Sequence, residues 1–277
     1  MQSSLLILWM ILIGFFVNAQ KETNNYKLVW SDEFDKNGLP DSANWTYEKE
    51  FVRNQEMQWY QAENVRCENG YLIIEARREE KPNPNYEAAS NDWRKNRPTI
   101  YYTSACLITR GLRKWTYGRF EMRARIDISP GLWPAWWTLG VEQRWPANGE
   151  IDIMEYYRGK LLANIACSGA NRQPEWHSNT FSVDSMGGSG WSSKFHIWQM
   201  DWTKDSIALY IDDQLLNKCA LDVLVNKDGS DFNPFRQPHY MLLNLAIGGA
   251  NGGDPTSTNF PKRFEVDYVR VYQKKDN

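Results

Sequence analysis

Phe120-Glu121-Met122-Arg123-Ala124-Arg125-Ile126-Asp127-Ile128 is apolar at every even position and charged at every odd one. Side chains of a β-strand point alternately to opposite faces, so the pattern describes a strand with one face covered and one in water. The same period of two recurs outward from it, at Leu72 to Ala76, at Ile207-Ala208-Leu209-Tyr210-Ile211 before the turn-like Asp212-Asp213, and at Phe264 to Tyr272. Tyr240 to Ile247 is apolar almost throughout, as a strand buried on both faces is. No segment carries a long 3.6-residue amphipathic repeat. Many strands, turn signals between them and few helices predict an all-β chain, a two-sheet antiparallel β-sandwich or jelly roll.

At the N-terminus, Leu5 to Val17 is apolar apart from Gly14 and is followed by Asn18-Ala19-Gln20. The run is shorter than the roughly 20 apolar residues of a bilayer span, and the small Ala19 suits a signal-peptidase site. Residues 1–19 therefore read as a signal peptide cleaved after Ala19, and the mature chain is expected to be secreted or periplasmic. An uncleaved anchor is the alternative, since no Lys or Arg precedes Leu5. No second apolar span follows, so no stable membrane association is expected after cleavage. Residues 20–277 show no linker and no repeat and read as a single domain. Glu79 to Arg97, rich in Pro and Asn, and the Gly/Ser-rich Asp184 to Ser193 read as surface loops. Cys67, Cys106, Cys167 and Cys219 have the spacing of neither a zinc site nor a dense disulfide framework. Buried thiols and one disulfide both stay open.

The net charge of −2, with signs interspersed, leaves no electrostatic footprint for nucleic acid and favours a neutral partner. Tryptophan is abundant, at 14 residues, and Trp59, Trp133, Trp136, Trp137, Trp145 and Trp176 sit among Gly, Pro and polar residues. Indole stacks on the C–H face of a sugar ring and tolerates a wet groove, so Gly131-Leu132-Trp133-Pro134-Ala135-Trp136-Trp137 reads as a substrate wall. Just beyond it, Gly149-Glu150-Ile151-Asp152-Ile153-Met154-Glu155 sets three carboxylates into an apolar strand. Glu150 and Asp152 share a face, whereas Glu155 falls on the opposite one unless a bulge at Ile153-Met154 shifts the parity. With that bulge, one acid can attack or activate water, another can protonate the leaving oxygen, and the middle one can set the charge of its neighbours. A solvated strand face or a calcium ligand set would give the same triplet.

Glu150-Ile151-Asp152-Ile153-Met154-Glu155 resembles the Glu-x-Asp-x-x-Glu signature of glycoside hydrolase family 16. The likeness continues in order through Trp30-Ser31-Asp32-Glu33-Phe34, Asn54-Gln55-Glu56-Met57-Gln58-Trp59-Tyr60 and Tyr117-Gly118-Arg119-Phe120-Glu121. Trp133-Pro134-Ala135, Trp145-Pro146, Asn244-Leu245-Ala246-Ile247-Gly248-Gly249 and Val266-Asp267-Tyr268-Val269-Arg270-Val271-Tyr272 complete it. The resemblance implies a concanavalin-like jelly roll with an open cleft and a retaining endo-glycosidase. In it Glu150 would be the nucleophile, Glu155 the acid/base and Asp152 the assisting carboxylate, with no organic cofactor. Trp133, Trp137, Asn54, Glu56, Tyr60 and Asn244 would bind substrate. A structural calcium ion would lie between the Asp267 carboxylate and the carbonyls of Glu33 and Gly70, hard oxygen donors of the kind calcium takes. An ordinary ion pair is the other reading of Asp267.

Met154 and the Asn54 to Tyr60 segment most resemble laminarinase-like members, so the expected substrate is a β-1,3- or mixed β-1,3/1,4-glucan and the expected state a monomer. Two departures stand out. Cys106 replaces the Arg that those members usually carry after Ser104-Ala105, and Leu162-Ala163-Asn164-Ile165-Ala166-Cys167 lacks the His that they often place on that strand. A galactan hydrolase, a transglycosylase using the same acids, and a lectin on the same scaffold are the alternatives. Three anions gain a neutral-sugar lectin nothing and are costly to bury, which weighs against that last reading.

Overall fold

The computed structural model describes residues 25–275. The signal-peptide reading therefore lies outside the described residues. Two sheets form a β-sandwich. The seven-stranded sheet runs, edge to edge, Pro174–Ser182, Lys160–Ser168, Glu150–Tyr157, Leu132–Gly140, His239–Ile247, Cys106–Ile108 and Thr46–Glu48, antiparallel throughout. The ten-stranded sheet is built on Gln214–Ala220, Ser206–Ile211, His196–Trp202, Gly118–Ile126, Lys262–Lys274, Tyr71–Pro82, Thr99–Ser104 and Gln58–Tyr60. Tyr26–Asp32 and Val65–Glu68 pair onto it from the side. One pair, Gln58–Tyr60 with Thr99–Ser104, is parallel, a departure from the all-antiparallel expectation.

The alternating segment behaves as its pattern dictates. Phe120, Met122, Ala124 and Ile126 are buried, while Glu121, Arg123 and Arg125 line the opposite face. His239–Ile247 is buried at every position because it lies inside its sheet, paired on both sides. The core between the sheets gathers Phe120, Met122, Trp136, Ile151, Ile153, Met154, Ile165, Trp198, Met200, Trp202 and Leu243. This apolar layer forces the polar side chains of the Glu150–Tyr157 strand outward.

Two expected loops are shorter than the sequence suggested. Glu79 to Pro82 continue the Tyr71–Pro82 strand, because Lys81 and Pro82 find partners in Ile100 and Thr99. Asp184 to Ser193 folds into a 3-10 turn, Asp184–Met186, and a short helix, Gly188–Ser192, whose Trp191 is buried in the core. The remaining stretch of the first loop is a brace. Arg94 donates to the Val52 carbonyl at 2.7 Å and Arg97 to the Glu56 carbonyl at 2.7 Å, so the loop holds the Phe51 to Gln58 segment beside the seven-stranded sheet. All four cysteines are free thiols, and Cys67, Cys106 and Cys167 are buried. Among the described residues, no helix is long and apolar enough to cross a membrane.

Candidate active site

The acidic strand is bulged where parity requires it. Asp152 pairs with Asn164 and Glu155 with Leu162, so three steps along one strand answer two along its neighbour, with Ile153 and Met154 together facing Ala163. The register against Leu132–Gly140 shifts at the same place, between Asp152 and Met154. Ile151, Ile153 and Met154 pack into the core. Glu150, Asp152 and Glu155 instead line one cleft on the outer face of the seven-stranded sheet. A regular strand would have buried Glu155 among the apolar side chains that Met154 now meets.

Neutral donors surround these acids. Glu155 accepts from Trp133 Nε1 on Oε1 and from Asn164 Nδ2 on Oε2, both at 2.8 Å. The same Asn164 Nδ2 donates to Asp152 Oδ2 at 3.2 Å. Trp145 Nε1 donates to Glu150 Oε2 at 2.5 Å. Burial, then the charge of Glu150, pushes Glu155 up to about 7 against its two donors. Burial and the charges of Glu150 and Glu155 drive Asp152 well above the usual carboxylate range. A proton kept on Asp152 can be shared with Glu150 as a hydrogen bond. Glu150 is also raised by burial, and the Trp145 indole, Asp152 and the Arg53 guanidinium oppose that rise. The three acids thus hold protons unequally, which an acid and a nucleophile on one strand require.

The cleft has a volume of about 710 Å³. Trp133, Trp137, Asn54 and Asn244 line it, as the sequence reading expects. Trp137 Nε1 donates to Asn244 Oδ1 at 2.7 Å. Glu56 and Tyr60 do not reach the cleft. Both are buried beneath it, where Glu56 accepts from Gln58 Nε2 at 2.6 Å and from the Tyr60 hydroxyl at 3.3 Å. Asn244 Nδ2 in turn donates to that hydroxyl at 3.2 Å. Their place is therefore corrected from substrate contact to support of Asn244 and, through it, Trp137. Trp136 belongs to the core and Trp59 packs edge-on against Phe51, so only part of the tryptophan-rich stretch is wall.

The segment before the Gln58–Tyr60 strand meets the end of His239–Ile247 through glycine. A Cβ at Gly248 would stand 2.4 Å from Met57 Sδ, and one at Gly249 would stand 2.7 Å from the Asn54 carbonyl oxygen. Both glycines have positive φ, so the close approach and the backbone geometry each exclude a side chain.

Arg53, Trp145, Tyr157, Asn164, Trp176, Ser178 and Asn251 also line the cleft and were not foreseen as site residues. Trp145 and Trp176, 50% and 44% exposed, carried a signal as indoles in polar surroundings. Arg53 carried none beyond its place next to Asn54. Its guanidinium pairs with Glu48 and lies 5.0 Å from the centroid of the Trp137 ring.

At the expected calcium position, the Asp267 carboxylate is engaged by Arg123 Nη1 at 2.5 Å and the Glu33 carboxylate by Arg270 at 2.7 Å. Gly70 turns with φ +78. A guanidinium already neutralises the one carboxylate the site would use, so the donor set as it stands does not fit a calcium ion. Among the described residues, no three His, Cys, Asp or Glu side chains gather as a metal site.

The family model for glycosyl hydrolases family 16 matches residues 41–270. A β-glucanase of Rhodothermus marinus is 38% identical over 271 residues, covering 90% of this chain and 86% of its own. The laminarinase catalytic domain of Thermotoga maritima superposes with a TM-score of 0.75 at 31% identity, covering 91% of this chain and 100% of its own. A structure from work on endo-acting O-glycanases, which prominent members of the human gut microbiota express to initiate mucin breakdown, superposes with a TM-score of 0.83. It is 34% identical and covers 91% of this chain and 92% of its own.

Proposed function

Because the chain belongs to glycosyl hydrolases family 16 and is a glycoside hydrolase, we propose that it cleaves β-1,3- or mixed β-1,3/1,4-glucans internally, with retention, as a secreted monomer. The observation that carries the mechanism is the bulge that turns Glu155 to the face of Glu150 and Asp152. Glu150 attacks the anomeric carbon while Glu155, protonated near neutral pH, gives its proton to the departing oxygen. Asp152, the most readily protonated neighbour, keeps a second negative charge from building up beside Glu150. Once the sugar has left, ionised Glu155 takes a proton from water, and that water releases the glycosyl group from Glu150. The exposed indoles of Trp145 and Trp176 bracket this centre as stacking platforms.

Substrate choice rests on the β-glucanase and laminarinase relatives. A second reading, an endo-glycanase on a branched or N-acetylated glycan, is favoured by Arg53. Its guanidinium covers a face of Trp137 that a flat glucosyl ring would otherwise stack on, and it offers N–H donors instead. Reducing-end release from laminarin, lichenan, xyloglucan, agarose, carrageenan and mucin O-glycans tests both. Release from laminarin or lichenan supports the first reading, and release confined to the O-glycans replaces it with the second.

A further inference from the structure

Asn164 stands opposite Asp152 on the neighbouring Lys160–Ser168 strand and is 5% exposed. Its Nδ2 donates to Glu155 Oε2 at 2.8 Å and to Asp152 Oδ2 at 3.2 Å. Its Oδ1 is buried and has no hydrogen-bond partner. A buried carbonyl oxygen without a donor is unfavourable, so the amide would reverse if its surroundings allowed. Reversal would aim Oδ1 at two carboxyl groups. With Glu155 ionised, its carboxylate therefore holds the amide with Nδ2 toward the acids.

We propose that Asn164 is a positioning residue that ties Glu155 to Asp152 through one shared N–H donor group and sets the pH at which Glu155 gives up its proton. The inference rests on the acid/base role assigned to Glu155 above. The groups facing Glu155 are few. From its own strand come Glu150, Asp152 and Tyr157, from Leu132–Gly140 comes Trp133, and from Lys160–Ser168 comes Asn164 itself. Arg53 acts on Glu150. Trp133 and Asn164 are thus the donors that favour the ionised form of Glu155, and Asn164 is the one that also reaches Asp152.

The test is the titration of the Glu155 carboxyl by carbon-13 NMR in the parent and in Asn164→Leu, Asn164→Ala and Asn164→Val, alongside the pH profile of kcat/KM. Losing a donor to a carboxylate raises its pKa, so each variant should titrate about one pH unit higher and carry the alkaline limb of activity up with it. A variant that melts like the parent and leaves the Glu155 titration in place overturns the proposal. Should the Leu and Ala variants fail to fold, the Val variant, neutral, without a donor and suited to a strand, decides it by the same upward shift or its absence. The NMR arm needs no substrate, so an error in the glucan reading would show as missing hydrolysis with the titration shift intact.

Discussion

Glu155 accepts two hydrogen bonds that favour its ionised form and still rises to about 7, because burial and the charge of Glu150 outweigh them. An acid catalyst works while it holds its proton, so kcat/KM should fall as pH climbs through about 7. A profile flat to well above that point would remove Glu155 from the role. Glu150→Gln keeps shape and hydrogen bonding to Trp145 but cannot form the covalent intermediate. It should lose at least about 10⁴-fold in kcat with oligosaccharide binding still measurable by calorimetry, and near-normal turnover would sink the nucleophile assignment. The three acids are legible in the sequence because carboxylates are costly in an apolar strand. Arg53 is not, since the Trp137 ring it covers lies far from it in the chain and one arginine on a loop looks like any other. Glu56 and Tyr60 were legible as a motif but not in their place, because a buried polar network and a sugar-binding one use the same residue types.

A single inserted residue decides the geometry of the catalytic strand. Deleting Met154 should remove the bulge and leave Glu155 two positions after Asp152 on a regular strand, still on the face of Glu150, so hydrolysis should survive while the strand's pairing with Leu132–Gly140 and Lys160–Ser168 preserves much of the fold. Circular dichroism and a cooperative melt alongside retained activity would bear this out. A deletion variant that folds like the parent but is inactive would show that the parity argument fails. The bulge was readable because residues five apart cannot share a strand face without one. The brace formed by Arg94 and Arg97 was not readable, since both side chains grip main-chain carbonyls and carbonyls carry no sequence signal.

Across the whole molecule, burying the acids of the cleft opposes stability once they ionise. Glu155 rises from 4.5 to about 7 on folding, so the folded state binds its proton more tightly. That contribution is complete below the unfolded value and is lost as pH rises through the folded one. Glu155→Gln should therefore melt like the parent near pH 4 and higher than it near pH 8, by on the order of 3 kcal/mol in stability. Equal melting temperatures at both pH values would contradict the burial argument. With Asp267 held by Arg123, calcium or a chelator should leave the melting temperature unchanged, and a rise with calcium would show that the ion displaces the guanidinium. Period-two alternation marked a β-sandwich, and tryptophans in polar company beside three acids in an apolar strand marked the candidate site, because strand facing and the cost of burying charge act within a few residues of chain. Tertiary structure alone decided which indoles became wall and which core, that Asn164 would join Asp152 to Glu155, and that Arg53 would cover Trp137. Those outcomes depend on which strands lie side by side, and adjacency in a sheet is settled by the packing of the whole chain.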